Sequence, residues 1–219
     1  MIRRLRISSS AISGLFLAGW TLKQTRYCAT VPADPSTRPL RELLDEVAAA
    51  TPAPGGGTSV AWTCALAAAL VEMASAFAGP GSSQAATRAG ALRERALALG
   101  EQELRSYGPV LEALKLPRDD PERPSRLDAA LSAAAEAPLE LARAGAEIAG
   151  LARGTAQSGS VHLRGDAEAG LLLAEAACQA AANLVQINLA GRADDPRLEE
   201  TESLRRSAAA LRAEVVEAA

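Results

Sequence analysis

The chain has 219 residues, 48% of them hydrophobic, 22% charged and only 3% aromatic, with a formal net charge of −3. That is enough for one globular core. Its charge excludes a general binder of nucleic-acid backbones, because the first 30 residues hold five basic and no acidic side chains and leave 18 basic against 26 acidic beyond them, whereas phosphate neutralisation needs clustered Lys and Arg.

Residues 1–36 read as a leader, distinct from a domain over 37–219. A basic start, Met1 to Arg6, precedes an apolar stretch from Ala11 to Trp20 that is too short to span a bilayer. A signal peptide, an organellar transit peptide and a start codon placed too far upstream all fit. The last is preferred, which makes the expected location cytoplasmic. Cys28, Cys64 and Cys178 lie far apart without a CxxC or Cys/His cluster, so buried free thiols and no structural metal are expected.

Abundant alanine, with few Val, Ile, Tyr, Phe and Thr after residue 36, predicts helices packed closely through small side chains. Ser36 or Thr37 can cap the first, with Pro39 in its first turn and Leu40, Leu43, Leu44 and Val47 on one face. Pro52-Ala53-Pro54-Gly55-Gly56-Gly57 interrupts the pattern. Thr58 or Ser59 is then expected to cap a second helix to about Phe77, with Leu66, Leu70, Met73 and Phe77 as its apolar stripe. Ala61, Ala65, Ala68 and Ala76 would let a neighbour approach. Gly79-Pro80-Gly81 ends that helix.

A third pattern spans about 84–116, weakened at Gly108-Pro109. Ser125 opens another towards Ala135, and Pro138 bends or restarts it before it continues to about Gln157. After a Gly/Ser-containing loop, Asp166 begins a long apolar helix ending at Leu189, and 197–218 reads as a charged closing helix. The predicted fold is an all-α, up-and-down bundle.

The glycine run carries the clearest functional signal. A helix start gathers unpaired N–H groups at a positive end, where a carboxylate or phosphate can be held. No Lys-Ser/Thr follows the glycines, so this is not a nucleotide P-loop.

Four stretches taken together resemble the cyclodeaminase/cyclohydrolase family, the helical folate enzymes that include formiminotetrahydrofolate cyclodeaminase and methenyltetrahydrofolate cyclohydrolase. They are Leu43 through Ser59 with its Pro-Ala-Pro-Gly-Gly-Gly core; Ala67 through Met73; Val110 through Pro117 with Pro138-Leu139; and Gly159 through Asp166 with Gln186-Ile187-Asn188-Leu189. The resemblance covers about residues 38–215. It implies a helical bundle that self-associates as a homodimer or larger homo-oligomer, with active sites near subunit contacts. It implies a tetrahydrofolate derivative as substrate; the residues themselves give the expectation of no metal, no nucleic acid and no membrane span.

By the same resemblance Asp166 is the first choice for general acid/base, and Glu103 a helper. Pro54, Gly55, Gly56, Gly57, Thr58, Ser59, Ser160 and Asn188 are the expected substrate contacts, with the glycine turn facing Asp166. Plainer roles stand beside these. Asp166 is equally an N-cap, the glycines a tight turn, and Asn188 a cap at a helix end. Glu72 and Glu175 would lie on exposed strips, and His162 in a solvated loop.

Three departures weigh on activity. The family's lysine and tyrosine after the second helix are missing from residues 79–84, and its loop asparagine is replaced by Ser160. Asn183 and Asn188 are five residues apart instead of four, which puts Asn183 roughly 100° round the helix from the expected face. The expected function is therefore a folate-dependent cyclohydrolase or cyclodeaminase. The alternative is a diverged, weakly active or inactive folate-binding paralogue, or an oligomerising helical scaffold.

Overall fold

The computed structural model describes residues 39–216 apart from Pro52 and Ser160. The leader, the Ser36/Thr37 cap, Cys28 and the role expected of Ser160 lie outside the described residues. Arg38–Ala219 forms one unit, and among its described residues seven α-helices follow one another: α1 (Leu40–Ala48), α2 (Gly56–Phe77), α3 (Ser83–Lys115), α4 (Arg123–Ala134), α5 (Glu136–Ser158), α6 (Arg164–Asn188) and α7 (Pro196–Val216). Short 3₁₀ turns at Pro80–Ser82 and Val161–Leu163 lead into α3 and α6.

Prolines set most of the punctuation. Pro39 precedes α1, Pro124 sits in the first turn of α4, and Pro138 sits in the first turn of α5, where an amide would have no partner. Gly79, at φ 99°, makes the turn after α2 in a backbone region costly for residues with a Cβ. Pro109 does not break α3, which runs straight through it.

Cross-links fix the topology. Gly90 of α3 lies beside Glu72 of α2 and Gly100 beside Ala61, so α2 and α3 are antiparallel. Arg88 pairs with Glu147 and Arg95 with Glu140, which sets α5 antiparallel to α3. Gly145 abuts Ala174 and Cys178, and Asn188 donates to the carbonyl of Ala134 at 3.0 Å, so α6 returns along α5. Arg143–Glu200 and Arg153–Glu214 hold α7 parallel to α5. The result is the expected up-and-down bundle.

Alanine decides how close these helices come. The core is Ala61, Cys64, Ala68 and Val71 of α2 with Leu99, Leu141, Ile148, Leu171 and Cys178 from its neighbours. The two buried thiols are free. Burial raises Cys64 to about 12, helped by the neighbouring Cys178. Burial likewise raises Cys178 to about 11; Glu175 adds to the rise and Arg205 opposes it.

Three expectations need correction. Leu66 and Phe77 do not face the core: they are 55% and 73% exposed, while Ala61 and Ala68 are fully buried. The small face of α2 points inwards because only it allows α3, α5 and α6 to approach together. Helix α2 also starts earlier than expected, with Gly55 as N-cap and no side-chain cap, so Thr58 and Ser59 lie inside its first turn. Likewise α6 begins at Arg164, placing Asp166 in the first turn and not at the cap.

Both α2 and the stretch Val161–Asn188 are long and apolar enough to cross a membrane by length and composition, and about half of each is buried within the bundle. Helix α1 packs only marginally on the other described helices. Leu43 is buried, yet Leu40 and Leu44 stay exposed.

Candidate active site

The glycine turn and α3 meet at one end of the bundle. Gly55 is extended, at φ −127° and ψ −154°, and the helix begins at Gly56. The Ala53–Pro54 peptide before it is cis. Ser59 donates its hydroxyl back to the Gly55 carbonyl at 2.9 Å, so that hydroxyl is spent inside its own helix. Thr58, fully buried, points the other way. Its hydroxyl donates to Oε2 of Glu103 at 3.0 Å, and its backbone N–H also bonds that carboxylate.

Glu103 is thus a carboxylate of this chain seated on the N-terminus of α2. A Cβ on Gly57 would fall inside the van der Waals envelope of its Oε1 and Cδ, and 2.6 Å from its Cγ. Burial holds the Glu103 carboxyl above the usual carboxylate range; the side-chain and backbone hydrogen bonds from Thr58 pull against that rise. A half-buried, raised carboxyl with fixed donors is suited to taking and returning protons.

Two consequences revise the sequence reading. An amide of α2 expected to serve an external anion already serves Glu103. The glycine turn also does not face Asp166 within one chain. Gly170 of α6 lies against Ala67, Leu70 and Val71 of α2, and Asp166 is one turn further towards the C-terminal end of α2. Roughly 16 residues of α2 therefore separate Gly57 from the level of Asp166, about 24 Å at 1.5 Å per residue.

The remaining candidates divide between the two ends. His162 is exposed on the 3₁₀ turn before α6, at the Asp166 end. Asn188 stands at the other end, where its amide nitrogen ties α6 to the α4–α5 corner through Ala134. Glu72 lies near the far end, at about the level of Asp166, half-buried beside Gly90 and paired with Arg93 at 2.9 Å. Glu175 is half-buried on α6. An open groove of about 500 Å³ runs between the C-terminal part of α3 and α4, lined by Pro109, Ala113, Leu116, Ala129 and Ala130. Glu103 and the glycine turn do not line it. Its charged residues are committed locally, Glu112 to Lys115 and Arg126 to Glu122, both at 2.6 Å.

A polar corner escaped the sequence reading. Arg197, at the start of α7, donates to both oxygens of Asp195, to Glu136 and to the carbonyl and hydroxyl of Ser132. Arg192 grips Asp128 with two further bonds. Arginine holds Asp195 down to about 2. The clustered charges 192–197 were visible in sequence, but their partners are some 65 residues away. They brace the glycine-turn end from behind.

The fold and this end of the bundle define the class. The chain belongs to the family described as formiminotransferase-cyclodeaminase, whose model matches residues 39–207. It is 28% identical over 195 residues to the methenyltetrahydrofolate cyclohydrolase of Methylorubrum extorquens, covering 81% of this chain and 94% of that protein. Its fold matches the crystal structure of formiminotetrahydrofolate cyclodeaminase from Thermotoga maritima at a TM-score of 0.73 and 24% identity, covering 84% of this chain and 98% of that one.

Proposed function

We propose that the chain is a folate-dependent one-carbon enzyme, acting on methenyl- or formiminotetrahydrofolate, with Glu103 as its general acid/base. The observation that carries this reading is the carboxyl of Glu103, raised by burial and seated on the glycine-started helix. Membership of the family and the named activities of the two similar proteins support the substrate class.

In the hydrolytic direction, ionised Glu103 accepts a proton from water as its oxygen bonds to the methenyl carbon. The carboxylic acid then returns that proton to the ring nitrogen as its C–N bond breaks. Cyclodeamination needs the same group: a folate nitrogen attacks the carbon of the protonated formimino group, and the proton it sheds passes to the departing NH2 so that the C–N bond breaks with loss of ammonia. Both steps balance without oxidant or reductant.

The working unit in this reading is a homodimer. Leu66 and Phe77 on α2, with Leu172 and Ile187 on α6, stay 42–73% exposed on two helices that pack side by side. Such faces on long helices call for a partner. A two-fold axis across them sets opposite ends of the two copies together, so that Asp166 of the partner subunit can approach Glu103. The small inward faces of α2 and α6 and their half-buried state favour a protein partner over lipid.

Ligand-dependent melting tests the substrate class. At a hundred times its Kd a ligand specific to the folded state adds about 2.7 kcal/mol, so methenyl- and formiminotetrahydrofolate should raise the Tm by several degrees. Failure of both to shift it defeats the reading. A shift without turnover would reduce it to folate binding.

A further inference from the structure

We propose that Gly57 and Thr58 are positioning residues for Glu103 and do not themselves contact substrate. The inference rests on the role of Glu103 proposed above and reassigns two residues expected to bind folate.

Geometry carries it. The two residues sit 45 and 46 positions before Glu103 in sequence, yet one leaves the space and the other supplies the bonds. Any side chain at 57 would occupy the volume now held by the Oε1, Cδ and Cγ of Glu103, and these atoms end a short side chain anchored on α3. Gly57 lies inside α2 without a positive φ, so backbone conformation alone does not require glycine at 57. Thr58 is fully buried, with its hydroxyl on Glu103 at 3.0 Å. A substrate could reach that hydroxyl only by displacing the carboxylate.

The surroundings leave Thr58 as the adjustable partner. The first turn of α2 carries no acidic side chain and, from Gly56 to Val60, no basic one. Along α3, Glu101 and Arg105 lie 3.7 Å from each other. On α4 and α5 the nearby acids Asp128 and Glu136 are held by Arg192 and Arg197. The C-terminal part of α6 offers only amides, at Gln179, Asn183, Gln186 and Asn188. Thr58 donates to the ionised form, so removing its hydroxyl must raise the carboxyl further.

The test follows the Glu103 titration in two ways: the pH profile of kcat/KM with methenyltetrahydrofolate, and carbon-13 NMR of the glutamate carboxyls, with Glu103→Gln assigning the signal. In Thr58→Val the inflection should move to higher pH in both readouts, and kcat should fall about tenfold, the scale of one charge-assisted bond, with KM within about twofold. Thr58→Ser should restore both. Gly57→Ala should displace the carboxyl and lower kcat at least as much. Should Thr58 bind substrate instead, its loss falls on KM and the inflection stays, which overturns the proposal. Wild-type protein without folate turnover defeats the functional reading alone; an NMR inflection unmoved in Thr58→Val overturns the positioning, whether or not folate is turned over.

Discussion

At Glu103 the competing effects have opposite signs. Burial disfavours the charged form, while Thr58 favours it; the net direction is upward. The consequence for stability follows by linkage. A raised folded-state value means that the stability Glu103 contributes is fully present below the ordinary glutamate range and is lost as pH rises through the folded value. Glu103→Gln, which keeps an acceptor for Thr58 but never ionises, should therefore melt a few degrees above wild type at pH 8. The gap should close near pH 4. Circular dichroism melts across that range check it, and a gap independent of pH would refute the burial argument. Asp166 offers a contrast: in the first turn of α6 it favours the positive helix end, and Asp166→Ala should cost about 0.3–1 kcal/mol.

Among the helices, glycine works through approach as much as through turns. Gly145 of α5 sits where a Cβ would lie 3.0 Å from the backbone oxygen of Ala174 and 3.0 Å from the amide nitrogen of Cys178. Backbone cannot step aside as a flexible side chain can. Helix propensity alone makes Gly→Ala favourable by about 1 kcal/mol, yet Gly145→Ala should destabilise by about 1–3 kcal/mol through overpacking. Gly150, on the same helix with nothing within 4 Å, supplies the control, since Gly150→Ala should keep the propensity gain. Urea midpoints for the two variants decide; equal shifts would contradict the close packing of α5 on α6. Helix limits were legible in sequence to within a few residues, because Gly and Pro act locally: Pro39, Gly79 and Pro138 all punctuate as expected. The orientation of α2 was not legible. It is apolar on nearly every side, so periodicity cannot say whether Leu66 or Ala68 faces inwards; that depends on how many neighbours must come close.

At the scale of the whole molecule, the site was partly legible. The glycine turn and Glu103 stand out by resemblance, but their contact depends on the register of α2 against α3, set at Gly57 and Gly100 and invisible to local pattern. The packing of α6 on α2 at Gly170 sends Asp166 to the other end, so a site shared by Asp166 and Glu103 requires a second copy. Charge on the outer stripe should abolish that pairing: Leu66→Glu or Phe77→Glu is expected to convert a dimer into monomer by light scattering on a sizing column. Folate turnover should fall with it. A monomeric wild type with full turnover would refute the shared site. The central claim, however, is the chemistry of Glu103, and loss of methenyltetrahydrofolate absorbance on mixing with purified protein at neutral pH tests it most directly. The account predicts turnover by wild type and a fall of about a hundredfold or more in folded Glu103→Gln, in the range of general acid–base catalysis. Undiminished turnover by Glu103→Gln, or none by wild type, would contradict it.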